Sequence, residues 1–237
     1  MIVLFTDFGL RGPYVGQVHA VFGRAGDAPP VIDLMHDAPA FDPHAAGHLL
    51  AALADGFPAG TVFEGVIDPG VGTSRAPVAV EADGRWYVGP DNGLFDVVSA
   101  RAAAARWWRI TRASDTGFAT FDGRDLFAPV ALSLARGEAV PGEPMDAPHA
   151  ANAGDERAEI VYVDEYGNAM TGLRTPAPGR LQVRGHRLPG GRTFADAAPG
   201  EALWLVNSIG LVEIAVNRGN AAVQLGLEPG MPVAWVD

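Results

Sequence analysis

The fold is decided by the stretch Ile2-Val3-Leu4-Phe5-Thr6-Asp7-Phe8-Gly9. Its first four residues form a continuous apolar run, rich in strand formers, that stops abruptly at a polar segment. Such a run is typical of a strand buried on both faces, as in the middle of a parallel sheet. The runs at Val31–Met35 and Thr61–Ile67 repeat the pattern. We therefore predict a parallel sheet built on these three strands.

A helical pattern separates the second run from the third. Asp42 can cap this helix, Pro43 suits its first position, and the apolar positions continue to Leu53. Gly56 and Pro58 end the pattern. A strand, a helix and a strand of these lengths form a right-handed βαβ unit, so this part of the chain is predicted to be an α/β domain.

Two further elements are predicted downstream. Asp83-Gly84 lies between the runs Val78–Glu81 and Trp86–Val88, and an Asp-Gly pair in that position is a strong hairpin signal. The pattern at Asp125–Leu134 predicts a helix with Pro129 in its first turn. Asp125 then suits the N-terminal end of that helix, as a capping or dipole residue.

The character of the sequence changes in its second half. Residues 139–156 are dense in Pro, Ala, Gly and Glu, a composition that predicts a linker. Short strands and turns follow, and no helix-length pattern separates them. We therefore predict an α/β domain over residues 1–138 and a small all-β barrel or sandwich over residues 157–237.

Composition excludes several classes of function. The chain has 237 residues, 48% of them hydrophobic, a formal net charge of -11 and no cysteine. Such an acidic chain repels phosphate backbones, which argues against a nucleic-acid partner. Without cysteine there is neither a thiolate nucleophile nor a zinc–thiolate site. No apolar run approaches the roughly 20 residues of a membrane span and no signal-peptide pattern is present, so a cytoplasmic protein is predicted.

Three polar clusters follow predicted strands. Asp7, Asp68 and Asp91 each stand near glycines that allow close backbone approach to a ligand. Ligands of open α/β sheets bind beyond the carboxyl ends of the strands, so the three clusters are predicted to converge on one site. Each cluster alone is also a common turn sequence. The three carboxylates leave a metal-dependent phosphohydrolase as an alternative, although no His-rich ligand set accompanies them.

Polar turns also recur in the second half of the chain. They are Asp164-Glu165-Tyr166-Gly167-Asn168, Asn207-Ser208-Ile209-Gly210 and the segment from Glu213 to Asn217. Structurally these segments are turns and strand ends. Functionally they offer amide, carboxylate and hydroxyl groups beside an aromatic ring, the set of groups that a purine requires.

Taken together, these motifs resemble the SAM hydroxide adenosyltransferase family, which shares its fold with the fluorinating and chlorinating enzymes that act on S-adenosyl-L-methionine (SAM). The motifs run in order through nearly the whole chain: Thr6-Asp7-Phe8-Gly9, Tyr14-Val15-Gly16, Asp68-Pro69-Gly70-Val71-Gly72-Thr73-Ser74-Arg75, Pro90-Asp91-Asn92-Gly93, Gly123-Arg124-Asp125-x-Phe127-Ala128-Pro129, Asp164-x-Tyr166-Gly167-Asn168 and Asn207-Ser208-x-Gly210. As a set they are highly specific.

The resemblance implies an N-terminal Rossmann-like α/β sandwich domain, a small C-terminal β-barrel domain and a homotrimer. It places each site between the N-terminal domain of one subunit and the C-terminal domain of its neighbour. The implied reaction is attack of water or hydroxide on the ribose C5′ of SAM, which gives adenosine and L-methionine. SAM is then the substrate, and neither a metal nor another cofactor is implied. The halogenases use fluoride or chloride instead of water.

The resemblance also implies a role for individual residues. Asp7 resembles the carboxylate that holds the ribose diol, because two acceptor oxygens can meet two hydroxyl donors. Asp68, Arg75 and Asp122 occupy the positions around the nucleophilic water. The residues that resemble the methionine-binding groups are Asp164 and Ser208, and those that resemble the adenine surround are Tyr166, Asn168, Phe194, Glu213 and the backbone of Val216.

The sequence departs from the family pattern beside the water. The hydrolases carry a histidine between Phe121 and Gly123, where this chain has Asp122, and a carboxylate is a weaker base than an imidazole. Fluorinating relatives carry a serine where Gly123 stands, which argues against fluoride chemistry. Besides hydrolysis, two alternatives within the resemblance stay open: a chloride-using halogenase, and a protein that binds SAM or adenosine with little turnover.

Overall fold

The computed structural model describes residues 1–112, 120–148 and 153–237. The chain divides into two compact units. The first unit comprises Met1–Leu50 and Phe57–Gly154, and the second comprises Ala51–Gly56 and Asp155–Asp237. Among the described residues, no helix is long and apolar enough to cross a membrane.

The first unit is built on one seven-stranded sheet. Its strands are β1 (Ile2–Thr6), β2 (Val31–Met35), β3 (Val62–Val66), β4 (Pro77–Ala82), β5 (Arg85–Pro90), β6 (Ala105–Ile110) and β7 (Gly142–Met145), in the order β2-β1-β3-β5-β4-β6-β7. The neighbours β2, β1, β3 and β5 pair in parallel, whereas β4, β6 and β7 add antiparallel pairs. The predicted α/β class is therefore confirmed.

Helices occupy the connections of this sheet. They are α1 (Tyr14–Arg24), α2 (Pro43–Ala54), α3 (Asp96–Arg101) and α4 (Ala128–Ala135), with a π-helical turn, Gly123–Phe127, directly before α4. Phe22 of α1 and Val130 of α4 belong to the apolar cluster that also holds Leu4 of β1 and Val62 of β3. Both helices thus cover one face of the parallel part of the sheet.

The prediction that all three apolar runs are buried on both faces is correct for two of them. Every residue of β1 and β3 is buried. The prediction is wrong for β2, in which Asp33 is exposed and Ile32 is 37% exposed. The physical reason is position: β2 is an edge strand of the sheet, and an apolar run alone does not distinguish an edge strand from a central one.

The local turn and cap signals are confirmed. The Asp42 carboxylate accepts a hydrogen bond from the N–H of Ala45 at 2.9 Å, which satisfies a donor in the first turn of α2. Asp83 and Gly84 have φ values of 48° and 75°, as a two-residue hairpin between β4 and β5 requires. The helix predicted at 125–134 exists as the π-helical turn followed by α4.

The segment predicted as a linker contributes a strand to the sheet. Residues 142–145 form β7, which pairs with β6 through the opposed residues Trp107 and Met145. A composition rich in proline and glycine therefore does not distinguish a linker from this edge strand. The helices α1 and α3 and the strand β6 were not predicted from the sequence.

The second unit contains two antiparallel sheets. Its strands are β8 (Arg157–Val163), β9 (Ala169–Gly172), β10 (Arg180–Val183), β11 (His186–Leu188), β12 (Ala202–Val206), β13 (Val212–Val216) and β14 (Ala234–Val236). The orders are β12-β13-β9-β8 and β11-β10-β14. Isolated bridges join Glu159 to Pro232 and Gly190 to Trp204, so both edges of one sheet contact segments beside the edges of the other.

The second unit also contains a helix, contrary to the prediction of strands and turns alone. Helix α5 (Ala221–Leu225) is capped by the side chain of Asn220, which accepts from the N–H of Val223 at 2.7 Å. Gly226, at φ 64°, ends it. A single helical turn is too short for a recognisable period in the sequence, and its two caps were the available signal.

A carboxyl group lies buried in the middle of the central sheet. Glu64 of β3 is fully buried, and neither carboxyl oxygen has a hydrogen-bond partner among the described residues. Side chains alternate along a strand, so Glu64 points to the same face as Val62 and Val66, which belong to the apolar core. Burial raises the pKa of Glu64 well above its ordinary value, and the folded protein therefore holds this group protonated.

We predict that Glu64 makes the stability of the protein fall as the pH rises. Above about pH 4.3 the unfolded chain ionises this group while the folded chain does not, which lowers the free energy of unfolding by about 1.4 kcal/mol per pH unit until the folded pKa is reached. Glu64→Leu should therefore stabilise the protein, and the gain should grow with pH. Urea unfolding at several pH values measures this, with Glu64→Gln as the non-ionising control. Equal pH slopes in the wild type and both variants would contradict the prediction.

Candidate active site

Parallel pairing brings the predicted polar clusters to one edge of the sheet. Asp7 follows β1 and Asp68 follows β3, and the N–H of Asp7 donates to the carbonyl of Val66 at 3.4 Å. The loop after β5 joins them, because the side-chain amide of Asn92 donates to the carbonyl of Ile67 at 2.8 Å. The carboxyl ends of β1, β3 and β5 thus form a single polar edge, where ligands of such sheets bind.

Asp7 is the first residue of the loop after β1, and it is partly buried. Burial raises its pKa above the ordinary value, hydrogen bonds from the backbone N–H groups of Phe41 and of Asp7 itself oppose this shift, and the nearby carboxylate of Asp68 adds to it. Asp7 and Asp68 are therefore close enough to interact electrostatically. Two acceptor oxygens in a partly desolvated position suit a pair of hydroxyl donors.

Phe41 is a site residue that the sequence analysis missed. Its φ is 61°, in the left-handed region that a bulky residue rarely adopts, and its side chain is 78% exposed. The backbone N–H of Phe41 lowers the pKa of the Asp7 carboxyl and therefore lies near it. The signal available in the sequence was weak, because an apolar residue before the Asp42 cap also fits an ordinary helix start.

Arg75 holds two carboxylates. Its Nε donates to Asp68 Oδ1 at 2.7 Å, its Nη2 also contacts Asp68 Oδ2, and the same Nη2 donates to Asp122 Oδ2 at 2.7 Å. The side chains of Asp68, Arg75 and Asp122 are 6%, 10% and 23% exposed. The structure thus brings together the three residues predicted to surround the water. We call them the Asp–Arg–Asp cluster.

The surroundings of Arg75 fix its position. Its guanidinium carbon lies 5.4 Å from the centre of the Phe127 ring, a cation–π arrangement. The loop from Asp68 to Arg75 folds back on itself, because the N–H of Gly70 donates to Asp68 Oδ1 at 3.1 Å. One cation between two carboxylates leaves the Asp–Arg–Asp cluster with a net charge of about -1. Asp122 is the most exposed member and is therefore the most accessible to a water molecule.

Aromatic rings pack beside this cluster. Phe8, Tyr14 and Phe121 contact one another with ring centroids 5.3 to 6.1 Å apart. A Cβ atom built on Gly123 would lie 2.9 Å from Cζ of Phe8 and 3.2 Å from Cε2 of Phe121. The rings therefore occupy the space that a larger residue at position 123 would need.

In the second unit, several predicted residues form a polar cluster of their own. The Asp164 carboxylate accepts from the backbone N–H and the side-chain amide of Asn168, at 2.8 and 3.1 Å. Asn207, which was part of a motif but not a predicted site residue, donates to Glu213 Oε2 at 3.0 Å. Burial raises the pKa of Glu213, the hydrogen bond from Asn207 opposes this, and the charge of Asp164 adds to it.

The other predicted residues of the second unit form no described bond to this polar cluster. Tyr166 is 80% and Phe194 is 45% exposed, and Ser208 is exposed as well. Within residues 153–237, no side-chain hydrogen bond or ring contact joins these three to the cluster. The side chain of Val216 belongs to the apolar core, and its carbonyl accepts from the N–H of Gly219 at 3.1 Å. Phe194 begins a 3-10 turn held by a capping box of Thr193 and Asp196.

Among the described residues, no group of three or more His, Cys, Asp or Glu side chains has the arrangement of a metal site. Asp68, one of the three carboxylates of the phosphohydrolase alternative, is bound at both oxygens by Arg75. At this edge, the carboxylates of Asp68 and Asp122 both bind the guanidinium of Arg75.

Comparison with known proteins gives a consistent result. The chain matches the SAM hydroxide adenosyltransferase N-terminal domain over residues 2–142 and the corresponding C-terminal domain over residues 158–234. It is 40% identical to the (R)-S-adenosyl-L-methionine hydrolase of Thermus thermophilus, over 98% of each chain. It is also 40% identical to the hydrolase of the same name from Salinispora tropica, over 95% of this chain and 93% of that one. A crystal structure of an uncharacterized conserved protein from Thermotoga maritima superposes with a TM-score of 0.88 at 31% identity, covering 98% of each chain.

We predict that the close packing at Gly123 is specific to that position. Gly123→Ala should lower the free energy of unfolding by about 1–3 kcal/mol, because the new methyl group displaces the Phe8 ring. Gly23→Ala is the matched control, since a Cβ atom there meets nothing within 4 Å. That change should leave stability unchanged or raise it by up to about 1 kcal/mol. Chemical denaturation measures both, and equal effects of the two substitutions would rule out the packing argument.

Proposed function

The chain belongs to the SAM hydroxide adenosyltransferase family, and on this basis we propose that it is an enzyme that hydrolyses S-adenosyl-L-methionine to adenosine and L-methionine. The observation that supports this most strongly is the Asp–Arg–Asp cluster beside Asp7, at the edge of the sheet where a ligand would bind. Hydrolysis needs a carboxylate for the ribose diol and a group that orients water, and this edge supplies both.

The proposed reaction is a direct displacement. The water oxygen forms a bond to the ribose C5′ while the bond from C5′ to the sulfonium sulfur breaks. The electron pair of that bond stays on sulfur and gives the thioether of methionine, and the water proton is released to the solvent. Because a sulfonium is already an excellent leaving group, the protein mainly has to hold the water in line with the breaking bond and exclude competing solvent.

The charge of the site fits this substrate. Asp7 and the Asp–Arg–Asp cluster together carry an excess of negative charge, which favours a cationic sulfonium ligand over an anion. We assign Asp7 to the ribose 2′ and 3′ hydroxyls. Asp122 accepts a hydrogen bond from the attacking water and so orients it. Arg75 binds both Asp68 and Asp122 and so fixes the position of Asp122, which we assign as a water orienter rather than as a base.

The groups that recognise the rest of the substrate come from the second unit. We assign the methionine moiety to Asp164 and Ser208. We assign the adenine to Tyr166, Asn168, Phe194, Glu213 and the backbone of Val216. Exposed aromatic rings can stack on a purine, and buried amide and carboxyl groups can bond to its edge. The relatives are named for the R configuration at sulfur, and we extend this preference to the present chain.

Two alternatives remain within the same fold. A chloride-using halogenase is disfavoured by the two carboxylates on Arg75, which repel a halide at the position of the water. A protein that binds SAM or adenosine with little turnover is favoured only by Asp122, which replaces the histidine of the related hydrolases. Product analysis separates both alternatives from hydrolysis.

We propose four further properties with the function. The second unit is a small β-barrel, supported by the bridges at both pairs of sheet edges. The protein assembles as a homotrimer, with groups from both units needed for each site, as in the family that it belongs to. It acts in the cytoplasm and needs no metal or other cofactor.

We predict that purified protein converts SAM to adenosine and methionine in equal amounts. Chromatography of the products, with the R and S sulfonium epimers assayed separately, should show preference for the R epimer and no effect of a chelator. In excess chloride, 5′-chloro-5′-deoxyadenosine as the main product would identify a halogenase. Tight SAM binding without product would identify a binding protein, and loss of activity with the chelator would show a metal requirement.

We predict that Asp122 and Arg75 contribute unequally to kcat. Asp122→Asn keeps an acceptor for the water and should lower kcat by less than about tenfold, whereas removal of a general base costs about 100- to 10,000-fold. Arg75→Ala releases both carboxylates and should cost more than Asp122→Asn. Asp122→His should raise kcat if the ring fits. Complete loss of turnover in Asp122→Asn with unchanged SAM affinity would instead make Asp122 the general base.

We predict that the active species is a trimer. Light scattering coupled to gel filtration should give a mass about three times the 24.7 kDa of one chain, and the activity should elute with that peak. A fully active peak at the mass of one chain would contradict the proposed assembly.

A further inference from the structure

A chain of polar side chains runs from the loop that carries Asp7 to the surface of the first unit. Thr6 Oγ1 and His36 Nδ1 are 2.7 Å apart, and His36 Nε2 lies 3.0 Å from Asp33 Oδ1. His19 Nε2 reaches the same oxygen of Asp33 at 2.8 Å. None of these residues belongs to the proposed substrate contacts. The His36 side chain is 2% exposed, whereas those of Asp33 and His19 are 43% and 38% exposed.

The hydrogen atoms of this chain can be assigned. Burial raises the pKa of Asp33, but hydrogen bonds from His36 and His19 outweigh it and hold the pKa below its ordinary value. An ionised carboxylate only accepts, so His36 Nε2 carries a proton. Thr6 Oγ1 accepts from the N–H of Phe8 at 3.3 Å, which leaves its own proton for His36 Nδ1. In this tautomer of His36, the Thr6 hydroxyl and both ring nitrogens have a partner.

The chain of hydrogen bonds holds the loop on both sides of Asp7. Thr6 precedes Asp7 and Phe8 follows it, and the Thr6 hydroxyl joins the two. The main chain adds two bonds, from Gly9 N–H to the His36 carbonyl at 2.6 Å and from Ala38 N–H to the Thr6 carbonyl at 3.1 Å. His36 is therefore the buried side chain that fixes the hydroxyl of Thr6, and the hydroxyl fixes the turn from which the Asp7 carboxylate projects.

We propose that His36 is a positioning residue for Asp7: through the Thr6 hydroxyl it sets the direction of the carboxylate that binds the ribose diol. This inference rests on the proposed function, because it takes the ligand of Asp7 to be a ribose. A side chain that only fills the core would affect stability, and it would weaken every ligand alike. A positioning residue affects specifically the part of the affinity that the ribose hydroxyls provide.

The experiment compares two ligands. Adenosine carries both ribose hydroxyls, and 2′,3′-dideoxyadenosine lacks them, so the ratio of their affinities reports the contact with Asp7. Calorimetry on the purified full-length protein should give a wild-type ratio of at least about tenfold, given the strength of charge-assisted hydrogen bonds. Asp7→Ala is the reference variant, in which this ratio should fall to about one.

Paired substitutions separate the two ends of the imidazole. The side-chain oxygen of Asn in His36→Asn can take the place of Nδ1 and accept from Thr6, whereas the amide of Gln in His36→Gln reaches Asp33 and loses Thr6. We expect His36→Asn to keep most of the wild-type ratio and His36→Gln to lose it, with similar affinity for dideoxyadenosine in both. Thr6→Ser and Thr6→Val form a second pair, with and without the hydroxyl, which tests the same bond if a His36 variant does not fold.

The outcomes distinguish a failure of the proposed function from a failure of the positioning role of His36. If the wild type does not discriminate between the two ligands, Asp7 does not bind the diol, and the proposed site fails together with this inference. If the wild type and Asp7→Ala differ as expected but His36→Gln and Thr6→Val keep the wild-type ratio, the function stands and the positioning role is wrong. If these variants lose affinity for adenosine and for dideoxyadenosine by the same factor, His36 has only a structural role.

Discussion

The polar edge of the sheet depends on the parallel register between β1 and β3. Ile2 lies opposite Val62 and Thr6 lies opposite Val66, so the two strands end level with each other. Asp7 is the first residue after β1 and Asp68 is the second residue after β3, and the two carboxyl groups are consequently close enough to influence each other electrostatically. A slip of one residue would turn every buried side chain of a strand to the wrong face, so the buried core maintains the geometry of the site.

The carboxylates of Asp68 and Asp122 would repel one another without a cation between them. The Arg75 guanidinium offsets that repulsion, because it binds both oxygens of Asp68 and one oxygen of Asp122. A lysine ammonium, which is a point charge, does not reproduce this planar arrangement of donors. The low exposure of Arg75 and Asp68 strengthens these interactions. The cluster is thus both the electrostatic centre of the edge and the part that holds two distant segments of the chain together.

The sequence was informative wherever the determinant is local. The apolar runs of β1 and β3, the Asp42 cap and the Asp83-Gly84 hairpin each follow from a few neighbouring residues. Features that depend on tertiary position did not follow: β2 is exposed because it lies at an edge, and the role of Phe41 arises where its loop meets Asp7. The pairing of Arg75 with Asp122, 47 residues apart, was expected only through the family resemblance.

The backbone of Phe41, which lowers the pKa of Asp7, also connects the site to a helix. Phe41 directly precedes Asp42, whose carboxylate holds the first turn of α2, so the segment beside Asp7 continues directly into that helix. First turns of helices open locally at low free-energy cost. A ligand that immobilises Asp7 raises the free energy needed to open the first turn of α2. The amide hydrogens at the start of α2 then exchange more slowly, and their exchange rate reports ligand binding even without turnover.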